Sequence, residues 1–385
     1  MLNNTNLLKQ CGEILVCALV AGILIAGCGG GSASSGSSGF SQSYTTSVGA
    51  GDVLQFSVNT TNKTYSFNVI ETSYGAGAVA SGIPAASAVS NTETSTGTLT
   101  GPNAVGSYNL SASADGFIAG GEVFPIQNSF FVGHVIISSI AGHTRKIPIF
   151  GVANPVTTFA SLAGTYNYQG YGCAGRSGGY AFGNIACSPH TGTISITSSG
   201  TFTTCKDGNL AASTPVCTLP VVGTSTASTN GDLVATATSG VYDFKTNDGH
   251  HRGWLFAFTA GGQNVAVIDH DDDFTPAFGH SIAISQTNLT SGQIDGHYFI
   301  KNNVGERHLM AISGVSFTDT PDTGSGTVPS AQVTGTLQYN NPWTGLVTYQ
   351  FNARPASGVA DIATIGAFTY TSSTIPFFYG VGLKY

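Results

Sequence analysis

The chain has 385 residues, of which only 8% are charged, with 12 Lys and Arg against 19 Asp and Glu for a net charge of −7. So sparse and mildly acidic a charge set excludes a basic footprint for nucleic acid and a polybasic patch for anionic lipid. The 52 glycines, the 2 methionines and the abundance of Ser and Thr disfavour helices and favour short strands joined by tight turns.

The first element is a 14-residue apolar run, Ile14 to Gly27, behind a polar, weakly cationic opening and directly before Cys28. A bilayer-spanning helix needs about 20 apolar residues, so the run suits the hydrophobic core of a secretory signal instead. Ile25-Ala26-Gly27-Cys28 resembles the lipobox of bacterial lipoproteins, in which small residues give the peptidase access and the cysteine thiol takes a diacylglycerol. The resemblance covers residues 1–28 alone. It implies a signal peptide at 1–27, lipidation of Cys28 and, with Gly29 rather than Asp next, sorting to the outer membrane. The Gly/Ser run that follows makes residues 28–40 a flexible tether. Loss of the signal removes Lys9 and Glu13 together and leaves the charge balance unchanged.

From residue 41 the alternation has period two. Leu54, Phe56 and Val58, then Tyr65, Phe67 and Val69 across a polar turn at Asn62 and Lys63, read as a hairpin with one buried face. Residues 73–95 carry no period and read as a long loop, and strand patterns resume near Leu99, Tyr108, Phe130–Ile137 and Lys146–Val152. Asn154-Pro155 marks a boundary, so residues 41–156 form one β domain and 157–385 a second, an antiparallel meander closing as a barrel or sandwich. The body is therefore all-β: two antiparallel β domains, as sandwich or up-and-down barrel, on a lipid-anchored tether. No repeat of fixed period stands out.

Cys173, Cys187, Cys205 and Cys217 remain in the exported chain, which suits disulfides. Three pairings are open; Cys173 with Cys187 and Cys205 with Cys217 close the shorter loops. Asp248-Gly249-His250-His251, Asp269-His270-Asp271-Asp272-Asp273 and His280 supply imidazoles and carboxylates for a divalent metal, so His250, His251, Asp269, His270, Asp271 and His280 form the candidate metal set. A calcium loop at Asp269 fails, because Phe274 stands where Gly is needed and His280 where a bidentate Glu is needed. Gly175-Arg176-Ser177-Gly178-Gly179 superficially resembles the nucleophile segment of trypsin-like proteases but lacks the acidic residue and any histidine segment before it. Asn340-Asn341-Pro342-Trp343-Thr344-Gly345 reads as a turn that holds Trp343 near the surface as a ligand contact. The alternation of Phe377, Tyr379, Val381, Leu383 and Tyr385 resembles the terminal strand of outer-membrane barrels.

With no complete catalytic arrangement, the expectation is a binding or structural module of the cell envelope. No cofactor is expected. Its partners are the membrane, through the acyl anchor, and a glycan or envelope protein. The alternatives are a metal-dependent hydrolase built on residues 248–280 and an integral outer-membrane barrel.

Overall fold

A computed structural model describes residues 39–49, 51–72, 94–138, 144–174, 186–210, 217–218, 228–272, 277–302, 306–322, 332–353, 357–372 and 379–385. The signal, Cys28, most of the tether, residues 73–93 of the loop expected at 73–95 and the segment 175–179 lie outside the described residues. So do the side chains of Cys173, Cys187 and Asp271. Thr94 and Ser95, expected in that loop, open a strand.

The chain is all-β and folds into three closed antiparallel barrels of eight strands each. The first holds Ser41–Ser47 (β1), Asp52–Asn59 (β2), Thr64–Thr72 (β3), Thr94–Thr100 (β4), Tyr108–Leu110 (β5), Ile118–Pro125 (β6), Phe130–Ser138 (β7) and Thr144–Val152 (β8). A one-turn helix, Phe159–Leu162 (α1), leads into the second barrel. That barrel holds Gly164–Ala174 (β9), Ala186–Ile196 (β10), Thr201–Lys206 (β11), Thr229–Ala235 (β14), Tyr242–Thr246 (β15), His251–Ala260 (β16), Gln263–Asp272 (β17) and Ala277–Ser285 (β18). Two short strands, Asn209–Leu210 (β12) and Cys217–Thr218 (β13), pair with each other beside it, tied by the Cys205–Cys217 disulfide. The third holds Gly296–Asn302 (β19), Arg307–Ser313 (β20), Ser316–Asp322 (β21), Val333–Tyr339 (β22), Leu346–Phe351 (β23), Ser357–Ile362 (β24), Ala367–Ser372 (β25) and Tyr379–Lys384 (β26). The expected hairpin at 54–69 is β2–β3, and the boundary near 157 falls in the first connection. Residues 157–385, expected as one meander, hold two barrels.

The ladders reveal a repeat that the sequence conceals. Following cross-strand partners around each barrel brings Tyr44, Tyr166 and Tyr298 into one position of the first strand. It likewise aligns Tyr65, Phe202 and Phe317 on the third strand, and Gly97, Gly231 and Gly335 opposite them on the fourth. Leu99, Leu233 and Leu337 follow two residues on, so each barrel carries Gly-x-Leu at this point. The glycines answer to packing: a Cβ would lie 2.5 Å from the Tyr65 ring, 2.5 Å from Phe202 and 2.2 Å from Phe317. A ring laid across a cross-strand glycine fills the space that a small residue opens in a curved sheet. Each first-strand tyrosine donates its hydroxyl to a backbone carbonyl, of Ile126, Leu162 and Ile294 respectively, closing one end of its barrel. The repeats are separated unequally because their loops differ in length, which is why no fixed period appears.

An even number of antiparallel strands returns the chain to the end where it entered. Residue 39 and the connections 153–163 and 286–295 therefore lie at the same end of their barrels, and the odd-numbered strands finish at the opposite end, the mouth. On the fourth strand of each barrel, burial alternates with exposure, as in β14 and β22, with Gly and Leu inward and mostly Thr, Asp or Gln outward. This is the inverse of a membrane-spanning barrel, which turns its apolar face out. The three interiors form separate apolar clusters.

The barrels contact one another in a ring. On the sixth strand, Glu122, Trp254 and Val359 are equivalent, and each meets the first strand of a neighbour or the turn just after it. Glu122 pairs with Lys301 at 2.5 Å, Trp254 donates Nε1–H to Gly51 O at 3.1 Å, and Val359 O accepts from Gln169 Nε2 at 3.0 Å. On the seventh strand the equivalent Asp269 and Thr371 reach Ser47 and Thr191 of those same neighbours. The same unlike faces thus meet three times, first barrel to third, second to first, and third to second, so a heterologous contact closes on itself.

Candidate functional site

The third barrel encloses a cavity of about 60 Å³ in its mouth half. A single water needs about 10–15 Å³ by this measure, so the space accommodates several waters or one small ring. Ile300, Met310, Phe317, Tyr349, Phe351, Ile362, Phe368 and Tyr370 line it, and His308 and Asp319 supply its polar groups. Strand alternation puts these side chains there: His308, Met310 and Ile312 share one face of β20, and Phe317 and Asp319 share one face of β21.

His308 Nδ1 lies 2.9 Å from Asp319 Oδ2, while its Nε2 faces Glu306 Oε2 at 3.7 Å. Burial pushes the imidazole towards its neutral form, but the hydrogen bond to Asp319 and the nearby Glu306 carboxylate outweigh it and raise the His308 pKa to about 9. His308 is in turn the main cause that lowers Glu306 to about 2. At neutral pH the site is an imidazolium between two carboxylates. It can donate and accept hydrogen bonds but offers no free base.

The repeat shows what is unusual here. The positions of His308 and Asp319 are occupied by Leu54 and Phe67 in the first barrel, both buried in its apolar core. In the second barrel they are Gly192 and Thr204. A charged pair in place of two core side chains costs desolvation energy that the fold does not require, and buried polar constellations of this kind gather at working sites.

The metal set expected from the sequence does not converge. His250 sits in the turn closed by Thr246 and Asp248, and His251 is held by Asp243 at 2.6 Å against the Trp254 ring. Asp269 points outward into the first barrel, where Ser47 Oγ lies at 2.6 Å and the Gly51 N–H donates at 3.0 Å. Burial raises its pKa to about 8. His270, its strand neighbour, points inward. His280 faces outward between Tyr171 and Tyr379, with ring centroids at 5.1 and 5.3 Å, and burial lowers its pKa to about 3. Adjacent strand residues face opposite ways, so a run such as Asp269-His270 cannot present both side chains to one ion. Among the described residues no group of three His, Cys, Asp or Glu side chains is placed to hold a metal.

Trp343, expected at the surface, is instead buried, donating its indole N–H to Asn167 Oδ1 at 2.7 Å in the contact between the second and third barrels. The Cys205–Cys217 pairing is as expected. Cys173 and Cys187 stand directly opposite each other in the β9–β10 ladder. The sequence reading missed His308, Asp319 and Glu306; the available signal was a polar residue falling in phase with apolar ones at His308-x-Met310-x-Ile312.

No family model matches the chain, and no curated protein matches it. One solved structure that aligns with it is the β chain of DNA polymerase III from Streptococcus pneumoniae, at 10% identity over 90% of this chain and 91% of that one. Its TM-score of 0.12 carries no argument about fold or function.

Proposed function

We propose that the protein is a lipid-anchored binding module of the cell envelope whose third barrel holds a small ligand with an apolar body and a hydrogen-bonding head. The observation that carries this reading is the replacement of two core positions by the His308–Asp319 pair beside a cavity. Eight-stranded barrels have interiors wide enough either to be filled by side chains or to hold one small ligand, and the repeat contains both outcomes. His308, Asp319 and Glu306 sum to a single negative charge, which favours a hydroxyl or a cationic head over an anionic one.

An anchored binding role fits the order of the chain, in which the lipobox resemblance at residues 25–28 and the Gly/Ser run after it precede the first barrel. Placement at the outer membrane rests on the lipobox resemblance, and replacing Cys28 with Ser is expected to move the protein from the membrane to the soluble fraction. No nucleic-acid partner is proposed.

The binding reading is tested by titrating the protein with phenol, benzyl alcohol and toluene and following the third-barrel side chains by NMR. Saturable shifts at Tyr349 and Phe351, stronger with the two hydroxyl compounds and abolished in Met310→Trp, are expected. Equal, non-saturating responses in both proteins would end the proposal.

A further inference from the structure

The second barrel carries a different polar set at its mouth half, independent of the cavity in the third. His190 on β10, His270 on β17 and Ser281 on β18 all face its interior. His190 Nε2 lies 2.8 Å from Ser281 Oγ, and His270 Nε2 lies 2.7 Å from the same atom. The two imidazole rings stand edge to face at 5.3 Å, and Tyr168 packs edge-on to His190 at 5.7 Å.

Two imidazole nitrogens therefore converge on one oxygen. A serine hydroxyl has one proton and can donate it to one of them; the other must take the opposite tautomer and donate to the oxygen. The first barrel has Asp52, Val135 and Ile149 at the three equivalent positions and the third has Glu306, Ser372 and Gly380. The convergence thus belongs to the second barrel alone and is no requirement of the fold. One backbone glycine makes room beside it: a Cβ on Gly170 would lie 2.3 Å from Ser281 Oγ and 2.2 Å from the His280 carbonyl oxygen.

We propose that His190, His270 and Ser281 form a binding site for a divalent transition-metal ion of the zinc class, taking two imidazole nitrogens and the serine oxygen, with the mouth supplying water. Imidazole donors suit Zn²⁺, Cu²⁺ and Ni²⁺ and disfavour Mg²⁺ and Ca²⁺. Ligand atoms about 2.0–2.1 Å from a tetrahedral zinc stand roughly 3.3 Å apart, so the observed nitrogen–oxygen separations need open by only about half an ångström. This set shares only His270 with the metal set expected from the sequence.

The test uses the full chain in detergent, without affinity histidines and stripped of metal by chelator, titrated calorimetrically with Zn²⁺ alone. One ion per chain is expected, weakened more than about 100-fold in His190→Gln and in His270→Gln, and unchanged in His251→Gln and His280→Gln. X-ray absorption at the zinc edge of the wild-type protein is expected to show two imidazole nitrogens at about 2.0–2.1 Å. That spectrum decides the matter if the glutamine variants do not fold. Absence of Zn²⁺ uptake by the folded wild type, uptake indifferent to both glutamine changes, or a spectrum without two imidazoles would overturn the proposal.

Discussion

Replacing Asp269 by Asn tests the contact between the first and second barrels through its pH dependence. The carboxyl is fully buried, one oxygen accepting from the Gly51 N–H and the other paired with Ser47 Oγ. Burial, with Asp52 adding repulsion, raises its pKa from 3.8 to about 8 against the opposing hydrogen bonds. Because the folded value lies above the unfolded one, the folded state binds the extra proton between about pH 4 and pH 8. Stability from this group is fully present below pH 4 and falls as pH rises, by about 1.4 kcal/mol per pH unit, levelling off above pH 8. Asparagine is isosteric, and its amide can serve both partners without a proton to lose. The histidines with lowered pKa, His134, His190 and His280, contribute slopes only below about pH 6.5. His308, raised to about 9, contributes a slope between pH 6.5 and 8 that is common to both proteins, so the difference between their profiles in that window isolates the Asp269 carboxyl. Urea unfolding of both proteins across that window should show the wild type losing about 2 kcal/mol relative to Asp269→Asn. Parallel pH profiles for the two proteins would refute the assignment of a protonated carboxyl to this contact.

Other consequences are as direct. Gly335→Ala should destabilise by about 1–3 kcal/mol through overpacking against Phe317, and Phe317→Leu should relieve part of that cost in a double-mutant thermal-melt cycle. Lys301→Met should destabilise by less than the about 3–5 kcal/mol of a fully stranded buried carboxylate, because Arg307 Nη1 still reaches Glu122 at 2.9 Å; adding Glu122→Gln should recover part of the loss, with urea midpoints as the readout. His308→Gln should remove the imidazolium, allowing Glu306 to titrate nearer the ordinary carboxylate range; carboxyl NMR shifts from pH 2 to 6 would register the change, and an unmoved midpoint would contradict the pairing.

Period-two alternation made the strands legible, and the Gly/Ser-rich composition made the all-β class legible, because both are local properties. Asn154-Pro155, which no strand continues, lies in the connection between the first and second barrels, whereas the connection at 286–295 reads like any other turn-rich segment. The threefold repeat was hidden because its shared features, an aromatic opposite Gly-x-Leu, are pairs across strands separated by loops of unequal length. The site failed to show for a related reason. Asp269, His270 and Asp271 are neighbours in the chain, yet a pleated strand sends Asp269 and His270 to opposite sides, whereas His308 and Asp319 lie on the two strands of one hairpin and meet diagonally, Met310 being the residue opposite Asp319.

The ring of three has a bearing on how the copies came to differ. Three identical separate barrels joined by the same faces would have to carry every interior change three times over. Joined covalently, each copy keeps the faces that dock it while its interior is free to vary. The first barrel has an apolar filling, the second a pair of imidazoles and the third a buried charged pair. Their docking faces have diverged too: the contact is an ion pair at Lys301, an indole hydrogen bond at Gly51 and an amide at Gln169. Unlike contacts of this kind give each barrel one preferred neighbour on either side, so the order of copies along the chain also becomes their order around the ring.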